Sequence, residues 1–315
     1  MSTDPPSMSL QAKVSVLVIF YTRARTLRVL VDHLSGLNFK KIYFASDGPR
    51  DHEDIPLVQE CRGIVESVNW GCEVEKLYSD TNLGLSLRNL TALDSVLAKE
   101  SGVLVLEDDC IPQPQILQYL TQAIAFASIN RGISTISCFN PLGNLGILSS
   151  TDFVVSRTFR SWGYFIFRET WLEYRKFLDR FEPDDFRLLT ELRPYKGIAT
   201  KILKFKILVH HRSRLEHMDI LMQSYFRRQG QLTIIPSSSQ IANVGFGSSA
   251  TNTSFLPWYP NNKTGLNNSE RDFSRWPKRS KPRKLIDVLE GWLILLQTPR
   301  WMLSKVLLAL KGIRR

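Results

Sequence analysis

Over its first 110 residues the chain alternates short apolar runs with amphipathic stretches, a rhythm that limits the possible folds more than any other feature. Residues 14–20, Val-Ser-Val-Leu-Val-Ile-Phe, are apolar at nearly every position, as a strand covered on both faces must be. Residues 26–34 then carry Leu27, Leu30, Val31 and Leu34 at helical spacing. Residues 41–45 form a second strand, closed by the turn signal Ser46-Asp47-Gly48-Pro49. Residues 57–68 can be helical, residues 73–78 make a third strand, and residues 85–97 place Leu87, Leu90, Leu93, Val96 and Leu97 as a helix would. That helix feeds the strand 103–106. Strand and helix in strict alternation predict an α/β fold with a largely parallel sheet.

The fourth strand ends in Glu107-Asp108-Asp109, closed by Cys110-Ile111-Pro112. In open α/β sheets ligands sit beyond the carboxyl ends of the strands, so these acids stand where chemistry is done. Three adjacent carboxylates repel one another unless a cation or ligand donors neutralise them. The plain alternative is a polar turn that caps a strand.

A chain of 315 residues, 43% of them hydrophobic, can bury a large core and is neither disordered nor fibrous. Four cysteines (Cys61, Cys72, Cys110, Cys138) show no CxxC pair and no zinc-like spacing with the five histidines, and read as buried thiols of a reducing compartment. No run approaches the roughly 20 apolar residues of a spanning helix, and residues 14–20 lack the flanks of a signal peptide. The net charge of +11 is concentrated at the end: from Arg271 onward twelve Lys and Arg stand against three acids, while the body is close to neutral. This disfavours a nucleic-acid surface and points to a local basic element.

Further along, residues 116–127, 169–181 and 218–228 are expected to be helical, and residues 232–235 to be a strand stopped by Pro236. Between them lies a segment rich in aromatics and turns, within which Phe167 and Trp171 read as core. Residues 237–268 read as one long loop and residues 271–284 as a basic linker. The expected organisation is a domain over 1–270 and a basic amphipathic helical tail over 271–315. Trp292, Trp301, Leu303, Val306, Leu307 and Leu310 beside Arg300, Lys305, Lys311, Arg314 and Arg315 suit a helix lying in an anionic membrane interface, or a terminal hairpin packed on the domain.

Four clusters follow the four strand ends and would gather on one edge of a parallel sheet. Arg23 follows the first and offers a bidentate fork to phosphate. Asp47 follows the second, placed to accept hydrogen bonds from a ribose or base. Asn82 and Gly84 follow the third, where backbone can approach a ligand closely, and Arg88 lies on the next helix. The acids follow the fourth. No Gly-x-Gly-x-x-Gly and no phosphate loop is present, so diphosphate binding would fall to a metal, for which hard carboxylate oxygens suit Mg²⁺ or Mn²⁺.

With these residues the chain resembles nucleotide-sugar glycosyltransferases of the GT-A fold, similar to bacterial family-2-type enzymes and the N-acetylglucosaminyltransferase I group. The matching pieces are Phe20-Tyr21-Thr22-Arg23, Ser46-Asp47-Gly48-Pro49-Arg50, Asn82-Leu83-Gly84-Leu85, Leu106-Glu107-Asp108-Asp109, Ser161-Trp162-Gly163-Tyr164, and Asn243-Val244-Gly245-Phe246-Gly247 running into Ala250-Thr251-Asn252-Thr253. They occur in the family's order between residues 14 and 253. The resemblance implies a Rossmann-like, mostly parallel mixed sheet flanked by helices, and a nucleotide-diphosphate sugar as donor. It implies Asp47 near base and ribose, Glu107 and Asp108 near ribose and diphosphate, and Asp109 as ligand of Mn²⁺ or Mg²⁺. It also implies Asp219, in His217-Met218-Asp219, as the base of an inverting transfer; a helix N-cap would want the same residue type there.

Asn252 stands where related sequences often have histidine, and its amide oxygen is a weaker metal ligand. Trp162 is a candidate to stack on a sugar ring. The expected activity is transfer of a sugar to a polysaccharide or lipid-linked glycan at the cytoplasmic membrane face. The alternatives are a sugar-phosphate nucleotidyltransferase, which would want a lysine-bearing glycine-rich loop after the first strand, and a catalytically silent nucleotide- or sugar-binding protein at the membrane.

Overall fold

The structure is a computed structural model describing residues 13–142, 150–180, 218–245 and 273–278, with 282, 286 and 289. The first half alternates as expected: β1 (Ser15–Phe20), α1 (Ala24–Ser35), β2 (Lys41–Ser46), α2 (Asp54–Glu66), β3 (Glu73–Tyr78), α3 (Gly84–Leu97) and β4 (Gly102–Glu107). Then follow β5 (Cys110–Pro112), α4 (Ile116–Ile129), β6 (Ile133–Ser137), β7 (Phe153–Ser156), β8 (Tyr164–Phe167), α5 (Arg168–Leu178), α6 (Met218–Arg228), β9 (Leu232–Pro236) and β10 (Ile241–Asn243).

Eight strands form one mixed sheet in the order β3-β2-β1-β4-β8-β6-β9-β7. β1 to β4 are mutually parallel, β8 runs antiparallel between β4 and β6, and β7 runs antiparallel to β9 at the far edge. This is the mostly parallel α/β sheet flanked by helices that the alternation and the resemblance implied. β3, at the other edge, carries Glu73, Glu75 and Lys76 and is only partly buried, which keeps that edge wet and unattractive to a further strand.

Side chains of β1 divide by parity. Val16, Val18 and Phe20 face a cluster that includes Leu27, Leu30 and Leu34 of α1, Cys61 and Val65 of α2, and Tyr119 and Leu120 of α4. Leu17 and Ile19 face the other side, where Leu93 and Val96 of α3, Trp171 and Tyr174 of α5, and Met222 and Phe226 of α6 close over the sheet. A strand of uninterrupted apolar residues is what this three-layer sandwich needs, because both of its faces are covered.

The middle of the chain differs from its reading as turns and aromatics. Tyr164-Phe165-Ile166-Phe167 is a central strand, and Ile133–Ser137 is buried although three of its five residues are Ser or Thr. Thr135 meets the hydroxyl of Thr233 on β9, a partner that lies 98 residues away and offers no local signal. The stretch 237–268 is not one uniform loop within its described part, because β10 pairs antiparallel with β5. Trp171 is buried, its indole N–H donating to Asp94 Oδ1 at 2.8 Å, and Phe167 packs against the core as expected. All four cysteines are free, Cys72 being the one not fully buried. Within the stretch read as a basic linker, Phe273 is buried against Tyr119, with ring centroids 5.5 Å apart. None of the described helices is long and apolar enough to cross a membrane.

Candidate active site

β1 and β4 are adjacent and parallel, so the turn after one lies beside the turn after the other. Ile19 pairs with Glu107, and the Asp108 N–H donates to the Ile19 carbonyl at 3.1 Å. Arg23, just before α1, therefore reaches the acids: its Nε donates to Asp108 Oδ2 at 3.2 Å, its Nη2 to Asp108 Oδ1, and its Nη1 to Asp109 Oδ2 at 2.7 Å. Asp108 and Asp109 are buried. Burial pushes the Asp108 carboxyl up to about 7 against the pull of Arg23, with Asp109 adding to the rise. Glu107 is pushed up to about 8 by burial first, then by Asp109 and Asp108.

Asp219 also raises Glu107, so its charge lies close enough to be felt there, and it is felt at Tyr164 as well. Asp219 is exposed in the first turn of α6. An exposed carboxylate whose charge reaches the acids is a candidate to accept a proton.

A second wall comes from β10. Asn243 sits opposite Cys110, the Val244 N–H donates to the Asp109 carbonyl at 2.9 Å, and Asn243 Nδ2 reaches Asp109 Oδ1 at 3.4 Å. A Cβ at position 245 would lie 1.9 Å from Asp109 Oδ2, so only glycine lets the backbone pass there. Asn243 and Gly245 were missed as site residues from sequence. Their signal was the Asn243-Val244-Gly245 piece of the resemblance, whose contact with Asp109 spans more than 130 residues and appears only when β5 and β10 pair.

Two strands away, Asp47 at the end of β2 is buried, and it accepts N–H bonds from Gly48 at 3.0 Å, Leu83 at 2.9 Å and Gly84 at 2.9 Å. Asn82 Nδ2 donates to the Gly48 carbonyl at 2.7 Å, closing the same junction. A Cβ on Gly48 would meet the Thr81 carbonyl carbon at 2.5 Å, which explains a glycine where the β2 and β3 turns touch. Three backbone donors occupy most of the roughly four acceptor positions of the Asp47 carboxylate, so it fastens the start of α3 and keeps about one position for a ligand.

Arg88 is turned onto the end of β3. It is buried, donating to the Leu77 carbonyl and Thr91, and burial lowers its pKa while Asp47 opposes the shift. It pins α3 to β3. Trp162 is partly buried and packs edge-on against Phe139, with centroids 4.9 Å apart. The β4–β8 register, continued beyond Val105↔Tyr164, brings it to the same edge as Glu107. Asn252, His210, His211 and His217 lie outside the described residues.

Among the described residues no group of three or more His, Cys, Asp or Glu is placed to hold a metal ion. A Mg²⁺ or Mn²⁺ held by one or two carboxylates and substrate phosphates needs no such group. Asp109 suits that role: its Oδ2 accepts from Arg23 and keeps acceptor capacity over, while its Oδ1 accepts from Asn243 and the Cys110 thiol, and the acids outnumber the one guanidinium on them.

No family profile matches the chain, nor does any curated protein sequence. Among solved structures it is similar to mouse xyloside xylosyltransferase 1, at 12% identity over 67% of this chain and 80% of that one, with a TM-score of 0.37. It is similar to a 4-diphosphocytidyl-2C-methyl-D-erythritol synthase from Anaerococcus prevotii at 11% identity, covering 70% and 99% of the two chains with a TM-score of 0.32. A UTP-bound UGPase from Acinetobacter baumannii matches at 10% identity over 73% and 88%, with a TM-score of 0.33. Likeness this distant decides neither chemistry nor substrate.

Proposed function

We propose that the protein is a glycosyltransferase that moves a sugar from a nucleotide diphosphate to a hydroxyl of a glycan or lipid-linked acceptor. The observation that carries this reading is the gathering, on one edge of the sheet, of the Asp47 junction, the Arg23-bound acids and the charge of Asp219. β2 and β4 are separated by one strand, which sets their ends on the order of 10 Å apart. That distance suits a nucleoside near Asp47 and Asn82 with its diphosphate at the acids.

In this reading the acceptor oxygen attacks the anomeric carbon while the bond to the diphosphate breaks, the electron pair leaves with the phosphate, and the hydroxyl proton passes to the Asp219 carboxylate. A bound Mn²⁺ or Mg²⁺ would supply neutralising charge to the leaving diphosphate. Asp109 would hold it, with Asn252, a weaker ligand than the histidine that the resemblance leads one to expect there, as the second. Asp108 keeps Arg23 aimed into the crevice, and Trp162 offers a ring face to the sugar. The basic tail would hold the protein on an anionic membrane surface.

The test is a screen of UDP-, GDP-, dTDP- and CMP-sugars for hydrolysis and transfer, followed by Asp109→Asn and Asp219→Asn proteins with the donor that works. Each variant is expected to lose at least about a hundredfold in rate, the usual scale for a general base. Unchanged rates in both would overturn the reading.

A further inference from the structure

The cation already on the acidic pair is Arg23, and its geometry has a cost for any metal. Three of its nitrogens are spent on Asp108 and Asp109, whose carboxylates are largely withdrawn from water. A divalent ion on Asp109 would meet that guanidinium at contact distance, where two positive charges repel by more than thermal energy. Arg23 is not sealed in, however. Its side chain is 26% exposed, and it stands at the N-terminus of α1, where that side chain makes no bond that caps the helix.

Resting on the nucleotide-diphosphate reading, we propose that Arg23 is a resident counter-ion that must leave Asp109 before a divalent cation binds, and that the donor's diphosphate draws it away. A guanidinium fork matches phosphate as well as carboxylate, so the diphosphate offers Arg23 an equivalent bidentate partner on the open side of the crevice. The exchange conserves charge pairing: Arg23 would move to phosphate and leave the Asp109 oxygen it had occupied free to hold a cation. Asp108 loses its fork in this step and stands beside the incoming cation instead. Cation and donor then bind as a coupled pair, each raising the affinity of the other by the same factor. The arginine thereby acts as a positioning residue, and it keeps the acids paired while no donor is bound.

The sign of the effect on metal binding distinguishes this role from a structural one. Mn²⁺ affinity without nucleotide would be measured by electron paramagnetic resonance of free Mn²⁺ for the intact protein and its Arg23→Gln and Arg23→Lys variants. Arg23→Gln removes the competing charge, so Mn²⁺ alone should bind on the order of tenfold tighter. Arg23→Lys keeps a charge without the fork and should fall between; it decides the matter if the Gln variant fails to fold. Inorganic pyrophosphate, which presents a diphosphate without base or sugar, should raise Mn²⁺ retention by the intact protein more than by Arg23→Gln, after correction for the complex in solution. Equal or weaker Mn²⁺ affinity in the folded variants, or none in any protein, overturns the exchange. If a nucleotide sugar is turned over while Mn²⁺ affinity does not move, the exchange alone falls. If Mn²⁺ tightens while no nucleotide sugar binds, the exchange stands and the donor reading falls.

Discussion

Asp54 opens α2 almost fully buried, accepting from Tyr21 Oη at 2.5 Å and from Arg50 Nε at 2.7 Å. These bonds, Arg50 first and Tyr21 second, hold its carboxyl down to about 2. A folded-state pKa below the unfolded one contributes stability that is present above the ordinary carboxylate value and lost as pH falls through the folded value. The melting midpoint should therefore drop between about pH 4 and about pH 2, and Asp54→Asn should flatten that part of the profile. Because Arg50 is largely exposed, the pair is screened and contributes about 1 kcal/mol or less. A slope unchanged by Asp54→Asn would show that other carboxylates dominate. In the sequence, Arg50 and Tyr21 were visible within the Ser46–Arg50 and Phe20–Arg23 pieces, but Asp54 carried no signal, and the meeting of the three depends on the ends of β1 and β2 lying side by side.

At the scale of elements, the short β5–β10 ribbon positions the site most directly. Three paired positions set Asn243 opposite Cys110 and carry Gly245 across Asp109. Gly245→Ala would force either the carboxylate or the ribbon aside. Displacement of about 1 Å can cost on the order of a hundredfold in rate, so transfer activity should fall by about that factor. The melting midpoint should move little, because Gly245 lies at the crevice edge and contributes nothing to the core clusters. Wild-type rates in Gly245→Ala would mean that Asp109 does not need its present position. The helices and strands of the first half were legible because each carries its own period. β6, β8 and β10 were not, because Ser-Thr strands, a four-residue aromatic run and a three-residue bridge are too short or too polar to show a period of two.

For the whole molecule, the segment 273–276 closes a layer of the fold. Phe273 is almost fully buried, and Trp276 packs edge-on against Phe126 with centroids 5.6 Å apart while its indole donates to Gln122 at 3.1 Å. Arg275 forks onto the buried Asp152, with Nη2 at 2.6 Å from Oδ1. Residues from beyond position 270 thus complete the core formed by α4 and β7. Phe273→Ala should cost about 3–5 kcal/mol in urea unfolding, the usual range for emptying a buried phenylalanine site. A loss below about 1 kcal/mol would place Phe273 outside the cooperative unit.

What the sequence determined by itself was periodic and local. Doubly covered strands must be continuously apolar, and the helices between them must show one greasy face. The turn residues at the ends of parallel strands must then stand on one edge, which places Arg23, Asp47, Asn82 and the acids there. Only the tertiary structure decided how those groups spend their bonds: Asp47 on three backbone amides, Arg88 on β3, and Arg23 on Asp108 and Asp109. Side-chain partners tens of residues apart are set by strand order and register, and neither leaves a trace in local composition.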